Sequence, residues 1–257
     1  MSMSQVFFVA LLSSTLAFPQ PATDASTDSS SPRTVFPIAF TNTVSADRAR
    51  VGDVVHARTT QAARLASNEL IPAGTEVVGH VAVATAFVYD KRPYATQRES
   101  VLQIQFDSAH CAGHDVPLNV MVRAMADPLT SWAAREPKSS DLDSLATVTQ
   151  IGGDELVRSQ SEVVDRNGDV VAYNRQGGVY AHLIAYAGCD GSTNEVSVAI
   201  YSASACGLYG FTGVTARETG SISSPSRLSL VSTHISPTIW RHSTALLEML
   251  PDTGAAR

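Results

Sequence analysis

Apolar and polar residues alternate along much of this chain, which is the pattern of strands with one buried face. Phe36, Ile38 and Phe40 form the first such run, where we expect ordered structure to begin. Similar runs predict strands over residues 54–60 and 243–250. Two further runs predict an antiparallel hairpin, namely Leu102, Ile104 and Phe106, and then Val116, Leu118, Val120 and Val122. Because helix-type periods are few, the chain is predicted to be all-β.

A proline–glycine corner is the point around which we expect the sheet to be organised. Pro72 fixes one φ angle and Gly74 can take a positive φ, so the chain can turn there at little steric cost. A run rich in β-branched residues follows and predicts a strand that continues to about residue 88. We predict a strand–turn–strand corner with Pro72, Gly74 and Gly79 as its structural turn residues.

The middle of the chain, residues 127–178, lacks this regularity and is interpreted as an irregular, variable insertion. Residues 129–135 and 141–151 are expected to form short helical turns. Asn167-Gly168 between apolar runs predicts a hairpin, and this outweighs a calcium loop built on Asp165, Asn167 and Asp169. We therefore predict one β-barrel or β-sandwich domain, made of residues 35–126 and 179–257.

The N-terminal residues indicate export. Residues 1–18 have the apolar core and small-residue cleavage site of a signal peptide, although no basic residue precedes Arg33. The alternative is a buried N-terminal strand. Residues 19–34 are rich in Pro, Ser, Thr and Asp and are expected to form a disordered tether. The apolar run is too short for a membrane anchor, so no stable transmembrane segment is expected after cleavage.

Charge and composition narrow the possible partners. The net charge of -6 and the scattered 18 basic residues argue against a nucleic-acid surface. Aromatic residues make up only 7% of the chain, but Tyr89, Tyr94, Trp132 and Trp240 provide candidates for a sugar-binding surface. Ordinary core or rim positions explain these four residues equally well. No nucleophile elbow, phosphate loop or dinucleotide fingerprint occurs in the sequence.

One short segment carries metal-ligand chemistry. His110, Cys111, His114 and Asp115 bring two imidazoles, a thiol and a carboxylate together, as a zinc site would require. A metal site usually draws ligands from a second segment as well, and none is indicated. Since the segment lies where the predicted hairpin must turn, a polar loop is the preferred interpretation, with no metal or cofactor.

The three cysteines leave two interpretations open. Cys189 and Cys206 flank a possible hairpin and are the favoured disulfide pair in an exported chain. Because the count is odd, one thiol is left over. The alternative is that all three thiols are unpaired.

The motifs resemble a family of uncharacterised secreted β-rich proteins common in acidobacteria, over roughly residues 35–126 and 203–250. The resemblance rests on a Gly-Asp strand over residues 52–60, the proline–glycine corner and the hairpin that follows. The matching corner residues are Ile71, Pro72, Gly74, Thr75, Gly79 and Val81, and the matching hairpin residues are Phe106, Asp107, Pro117, Leu118 and Asn119. More distantly, the corner is similar to that of the periplasmic barrel subunit of type IV secretion core complexes. These resemblances imply a compact barrel or sandwich and supply no catalytic residues.

The function expected from the sequence is that of an exported, non-enzymatic structural or binding protein of the cell envelope or extracellular space. Its partner would be another envelope protein or a glycan. Two alternatives remain: a metal-dependent hydrolase using His110 and His114, and a ring-forming subunit like that of the secretion core.

Overall fold

Two β-sheets account for most of the fold, which is all-β as predicted. The structure is a computed structural model that describes residues 34–64, 69–136, 147–157, 159–175, 178–182, 195–198, 200–203 and 205–251. The predicted signal peptide and all of the predicted tether except residue 34 lie outside these described residues.

The described elements follow one another in this order: β1 (Val35–Phe40), β2 (Val44–Ser45), β3 (Val54–Thr59), β4 (Ala63–Arg64), β5 (Leu70–Ile71), β6 (Glu76–Thr85), β7 (Ser100–Cys111), β8 (His114–Pro117), β9 (Val120–Ala126), α1 (Pro128–Arg135), β10 (Thr147–Thr149), β11 (Glu155–Val157), β12 (Glu162–Val164), β13 (Val170–Arg175), β14 (Gly178–His182), β15 (Glu195–Val198), β16 (Gly207–Tyr209), β17 (Thr215–Glu218), β18 (Arg227–Ser232), β19 (Thr238–Ile239) and β20 (Thr244–Met249).

The larger sheet is a nearly closed barrel. It has 10 strands in the order β16-β9-β20-β1-β3-β6-β7-β18-β17, with β8 paired to β7. Hydrogen bonds cross the remaining gap: the Val122 N–H donates to the Thr219 carbonyl over 2.5 Å, and the Ser226 N–H donates to the Val120 carbonyl over 2.7 Å. As predicted, the early and late parts of the chain therefore form one sheet.

The barrel interior is filled by the apolar positions of the alternating runs. Strand β1 contributes Phe36, Ile38 and Phe40, each fully buried. The Phe40 and Phe106 rings lie 6.4 Å apart between centroids, at a tilt of 41°, which is a favourable aromatic geometry. The outer face of β1, β9 and β20 is also apolar, because it packs against the second sheet.

The second sheet corrects the predicted insertion. Strands β10 to β15 form a 6-stranded antiparallel meander, so the described residues from 147 to 198 belong largely to one sheet. Strand β10 lies within the segment expected to form a second helical turn. Strands β14 and β15 belong to this sheet and not to the barrel, so the predicted boundary at residue 178 is wrong. Both sheets lie within one compact unit, residues 31–257.

Two further details differ from the predictions. Val120 and Val122 do not continue the hairpin with β7, because β9 leaves it after Asn119 and pairs with β20. Gly79 lies inside β6 and not in a turn; a Cβ atom there would lie 2.4 Å from the Gln105 carbonyl oxygen. Gly74 does occupy the predicted turn, with a φ of +84°.

Candidate functional site

The strand register places the connections 41–53, 86–99 and 233–243 at one end of the barrel. Strands β1, β6 and β18 end there, while β3, β7 and β20 begin there. Two of these connections pair with each other as the two-stranded sheet of β2 and β19. Val44 and Ile239 of this small sheet are buried and join the barrel core. The end of the barrel is thus covered by an ordered cap.

A groove with a volume of about 800 Å³ lies beside this cap, and we call it the end groove. Its lining comes from residues 42–54, from Phe87 and from residues 234–240. This volume is within the range of roughly 300–1,000 Å³ typical of small-molecule sites. Among the described residues, it is the leading candidate for a binding site.

Hydrogen bonds between residues far apart in sequence hold the groove walls together. The Ser45 and Thr238 hydroxyl oxygens lie 2.7 Å apart, and the Ser45 hydroxyl also contacts Asp47 Oδ1. Asn42, which also lines the groove, accepts from the His56 N–H over 2.9 Å and donates to the Val54 carbonyl over 3.2 Å. These contacts join separate parts of the groove lining to each other.

Two aspartates on the groove wall retain acceptor capacity. Asp53 Oδ2 accepts from the Arg50 N–H over 2.8 Å, while Asp47 Oδ2 lies 4.0 Å from the Arg48 guanidinium. Within the described part of the chain, Asp47 Oδ2 and Asp53 Oδ1 have no hydrogen-bond donor. Carboxylate oxygens of this kind accept hydrogen bonds from hydroxyl groups.

Apolar side chains complete the groove and extend beyond it. Trp240 is 54% exposed although it lines the groove, and Ile235 and Val54 are also exposed there. Val88 and Tyr89 follow the groove residue Phe87 directly and are exposed as well. Exposed apolar surface concentrated in one place marks interaction sites more often than single exposed residues do.

The structure divides the four aromatic residues proposed from the sequence. Trp240 lines the end groove, and Tyr89 and Tyr94 lie on the connection that follows Phe87. Trp132 lies on α1, outside the groove lining, and donates its indole N–H to Glu136 over 3.1 Å. Three of the four residues thus belong to one end of the barrel.

The segment proposed for metal binding is a tight hairpin at the opposite end of the barrel. Ala112 and Gly113 form its turn with φ angles of 46° and 87°. Strand alternation places His110 with Asp115 on one face and Cys111 with His114 on the other. His110 contacts Asp115 over 3.0 Å, and His114 contacts Glu69 over 2.9 Å. The two imidazoles therefore do not converge.

Two further observations concern the side chains around this hairpin. Among the described residues, no group of three or more His, Cys, Asp or Glu side chains is placed to hold a metal ion. Cys111 is buried with a free thiol, and burial raises the pKa of that thiol. A raised pKa lowers the fraction of thiolate, which is the form that binds metals and attacks electrophiles.

The predicted disulfide is only partly described. Cys206 is disulfide-bonded. Cys189 lies outside the described residues, so its pairing with Cys206 stays a prediction.

A buried ion pair lies between the two sheets. Arg123 is the extra residue where the register of β9 shifts against β20, and its guanidinium lies 3.5 Å from the Glu248 carboxylate. Both side chains are fully buried. The same guanidinium donates to the carbonyls of Ala203 and Ala205 over 3.2 and 3.3 Å. These contacts attach the chain that follows the second sheet to the barrel wall.

Asp154 also binds the segment around Ala203 that follows the second sheet. It is 2% exposed, and its carboxylate accepts from the Ala203 N–H over 2.8 Å. Burial raises the pKa of Asp154, and the Ala203 hydrogen bond offsets only part of this effect. Since Asp154, Arg123 and Glu248 are sealed from solvent, we assign them a structural role.

Comparison of the chain with family models, curated proteins and solved structures gave no match. The resemblances noted in the sequence therefore stay predictions. Among the described residues, no helix has both the length and the apolar character that crossing a membrane requires.

Sequence reasoning missed the polar half of the end groove. Nothing local in the sequence connects Asp47 and Asp53 to Thr238. Trp240 was the one sequence signal for the groove, because this aromatic residue does not belong to a run of alternating apolar and polar residues.

Proposed function

We propose that this protein is an exported, non-enzymatic binding module whose end groove binds a neutral glycan. The observation that carries the proposal is that the half-exposed Trp240 lines the same groove as Asp47 and Asp53, each of which has a carboxylate oxygen without a hydrogen-bond donor among the described residues. Sugars present apolar C–H faces to aromatic rings and hydroxyl donors to carboxylates. A groove with both features is suited to such a ligand.

The charges of the groove favour a neutral ligand over an acidic one. Asp47 and Asp53 contribute two carboxylates, and Arg48 and His234 contribute one guanidinium and one imidazole. With the imidazole counted as neutral, these groups carry a net charge of -1, and the protein as a whole carries a net charge of -6 counted in the same way. A polyanionic glycan would meet repulsion from both sources.

Export is supported by the signal-like residues 1–18 and by the disulfide at Cys206, since disulfides persist in oxidising compartments. The metal-dependent hydrolase is not proposed, because His110 and His114 lie on opposite faces of their hairpin. A ring-forming assembly gains no specific support from the fold.

The test is affinity electrophoresis of the purified protein in gels containing soluble β-glucan, α-glucan, xylan or galactomannan, with alginate as the acidic counterpart. We expect retardation by at least one neutral polysaccharide and none by alginate. Trp240→Ala should abolish the retardation. Trp132→Ala is the matched control, because Trp132 is 52% exposed but lies outside the groove lining.

Several results would overturn the proposal. Binding to none of the neutral polysaccharides would remove the glycan assignment, and equal effects of the two tryptophan variants would remove the groove as the site. Release of reducing sugar ends during incubation would contradict the non-enzymatic part.

A further inference from the structure

The connection between β6 and β7, residues 86–99, leaves directly from the groove wall. Phe87 lines the groove, and its N–H donates to the Ser236 hydroxyl oxygen over 2.9 Å. Ser236 is itself a groove residue. We call residues 86–99 the aromatic loop, because it carries Tyr89 and Tyr94. Its first residues are fixed relative to the end groove by this bond.

The aromatic loop is also braced internally. The Gln97 side chain accepts from the Asp90 N–H over 2.8 Å and donates to the Asp90 carbonyl over 3.1 Å, which closes the loop into a ring. The Asp90 carboxylate binds the Arg92 guanidinium through both oxygens, with Nε distances of 3.0 and 3.1 Å. A loop held in this way presents its side chains in a fixed arrangement before any ligand arrives.

The side chains that the loop presents are aromatic and exposed. Tyr89 is 64% exposed and Tyr94 is fully exposed. Tyr94 also has a φ of 59°, a left-handed conformation that is unfavourable for a bulky residue. Neither ring packs into a core, so folding alone does not account for them. Exposed tyrosines on rigid loops are typical of binding surfaces.

We propose that Tyr89 and Tyr94 form a second aromatic platform that continues the end groove, so that the ligand is a linear polysaccharide chain. This inference rests on the proposed function. A mono- or disaccharide would occupy the groove at Trp240, and only a longer chain would also reach the loop. Affinity should therefore rise with chain length until the loop is covered.

The experiment is calorimetric titration of the full chain with a length series of oligosaccharides derived from the neutral polysaccharide that it binds. For the unaltered protein, the dissociation constant should fall as the series lengthens. Tyr89→Ala and Tyr94→Ala should leave disaccharide binding unchanged and weaken binding of the longest oligosaccharide by roughly twofold to tenfold each, the usual contribution of one aromatic contact.

Two further variants control for indirect effects. Tyr94→Asn keeps a residue that tolerates a positive φ, so it removes the ring while preserving the loop, and it should behave like Tyr94→Ala. Tyr173→Ala removes a partly exposed tyrosine from the second sheet and should change nothing.

The outcomes separate this inference from the proposed function. If Trp240→Ala abolishes binding but affinity is independent of chain length, or the loop variants weaken short and long ligands equally, the second platform is refuted and the groove site stands. If Trp240→Ala has no effect on any ligand, the proposed function itself fails.

Discussion

Removing the Arg123 guanidinium should destabilise the protein strongly. In Arg123→Met, the side-chain stem is retained, but Glu248 is left as a buried carboxylate without its cation. The carbonyls of Ala203 and Ala205 also lose their donors. Breaking a buried ion pair in this way typically costs about 3–5 kcal/mol. That is a large part of the roughly 5–15 kcal/mol by which domains are usually stable.

Removing both charges should destabilise the protein much less. In the double variant Arg123→Met, Glu248→Leu, no buried charge lacks a partner, and the two side chains can pack against the apolar surface between the sheets. Replacing a buried ion pair with apolar residues is often neutral or stabilising. We therefore expect the double variant to regain most of the stability that Arg123→Met loses. This corresponds to a coupling energy between the two substitutions of about 2 kcal/mol or more.

The assay is urea unfolding followed by far-ultraviolet circular dichroism, with the free energy of unfolding obtained by linear extrapolation. Arg217→Met is the matched control, because Arg217 pairs with Glu99 on the surface. Exposed pairs contribute little, so this variant should be close to the unaltered protein. A loss for Arg123→Met as small as that for Arg217→Met would refute the reasoning.

Two more predictions concern stability. Gly79→Ala should lower the free energy of unfolding in urea by about 3 kcal/mol or more, because its Cβ would lie 2.4 Å from the Gln105 carbonyl oxygen. Gly74→Ala has open space around its Cβ and should lower it by only about 1 kcal/mol. Equal losses for the two variants would contradict the close approach at Gly79. Since burial raises the pKa of Asp154, the folded state holds its proton more tightly, and the contribution of this group to stability falls as pH rises above the ordinary aspartate pKa. Asp154→Asn can still accept from the Ala203 N–H but does not titrate. Its free energy of unfolding, compared with that of the unaltered protein, should therefore be more favourable at pH 7 than at pH 4. A difference between the two proteins that does not change with pH would count against a raised pKa of Asp154.

The elements that could be predicted from the sequence are those whose cause is local. The alternation of Phe36, Ile38 and Phe40 predicted β1, and the positive φ of Gly74 followed from the proline–glycine turn. The expected hairpin failed at Val120 because alternation shows which face of a strand is buried but not which strand it pairs with. Only the coordinates show that β9 crosses to β20.

The second sheet and the end groove depend on contacts that no local pattern records. Strands β10 and β11 have 3 residues each, too few to show a clear period. Gly79 was interpreted as a turn residue, although its role is a close approach between two backbones. The groove needs Ser45 and Thr238 to meet across most of the chain, and this contact depends on the closed barrel.

The central place of β20 makes closure of the barrel depend on contacts between distant parts of the chain. Its residues 244–249 lie between β1 and β9 and pair with both, so these two strands are joined through β20. Contacts this distant in sequence form slowly, since a long loop must close first. Before β20 is inserted, the edges of β1 and β9 that face it are therefore unpaired. Unpaired strand edges of this kind make partly folded chains prone to aggregation.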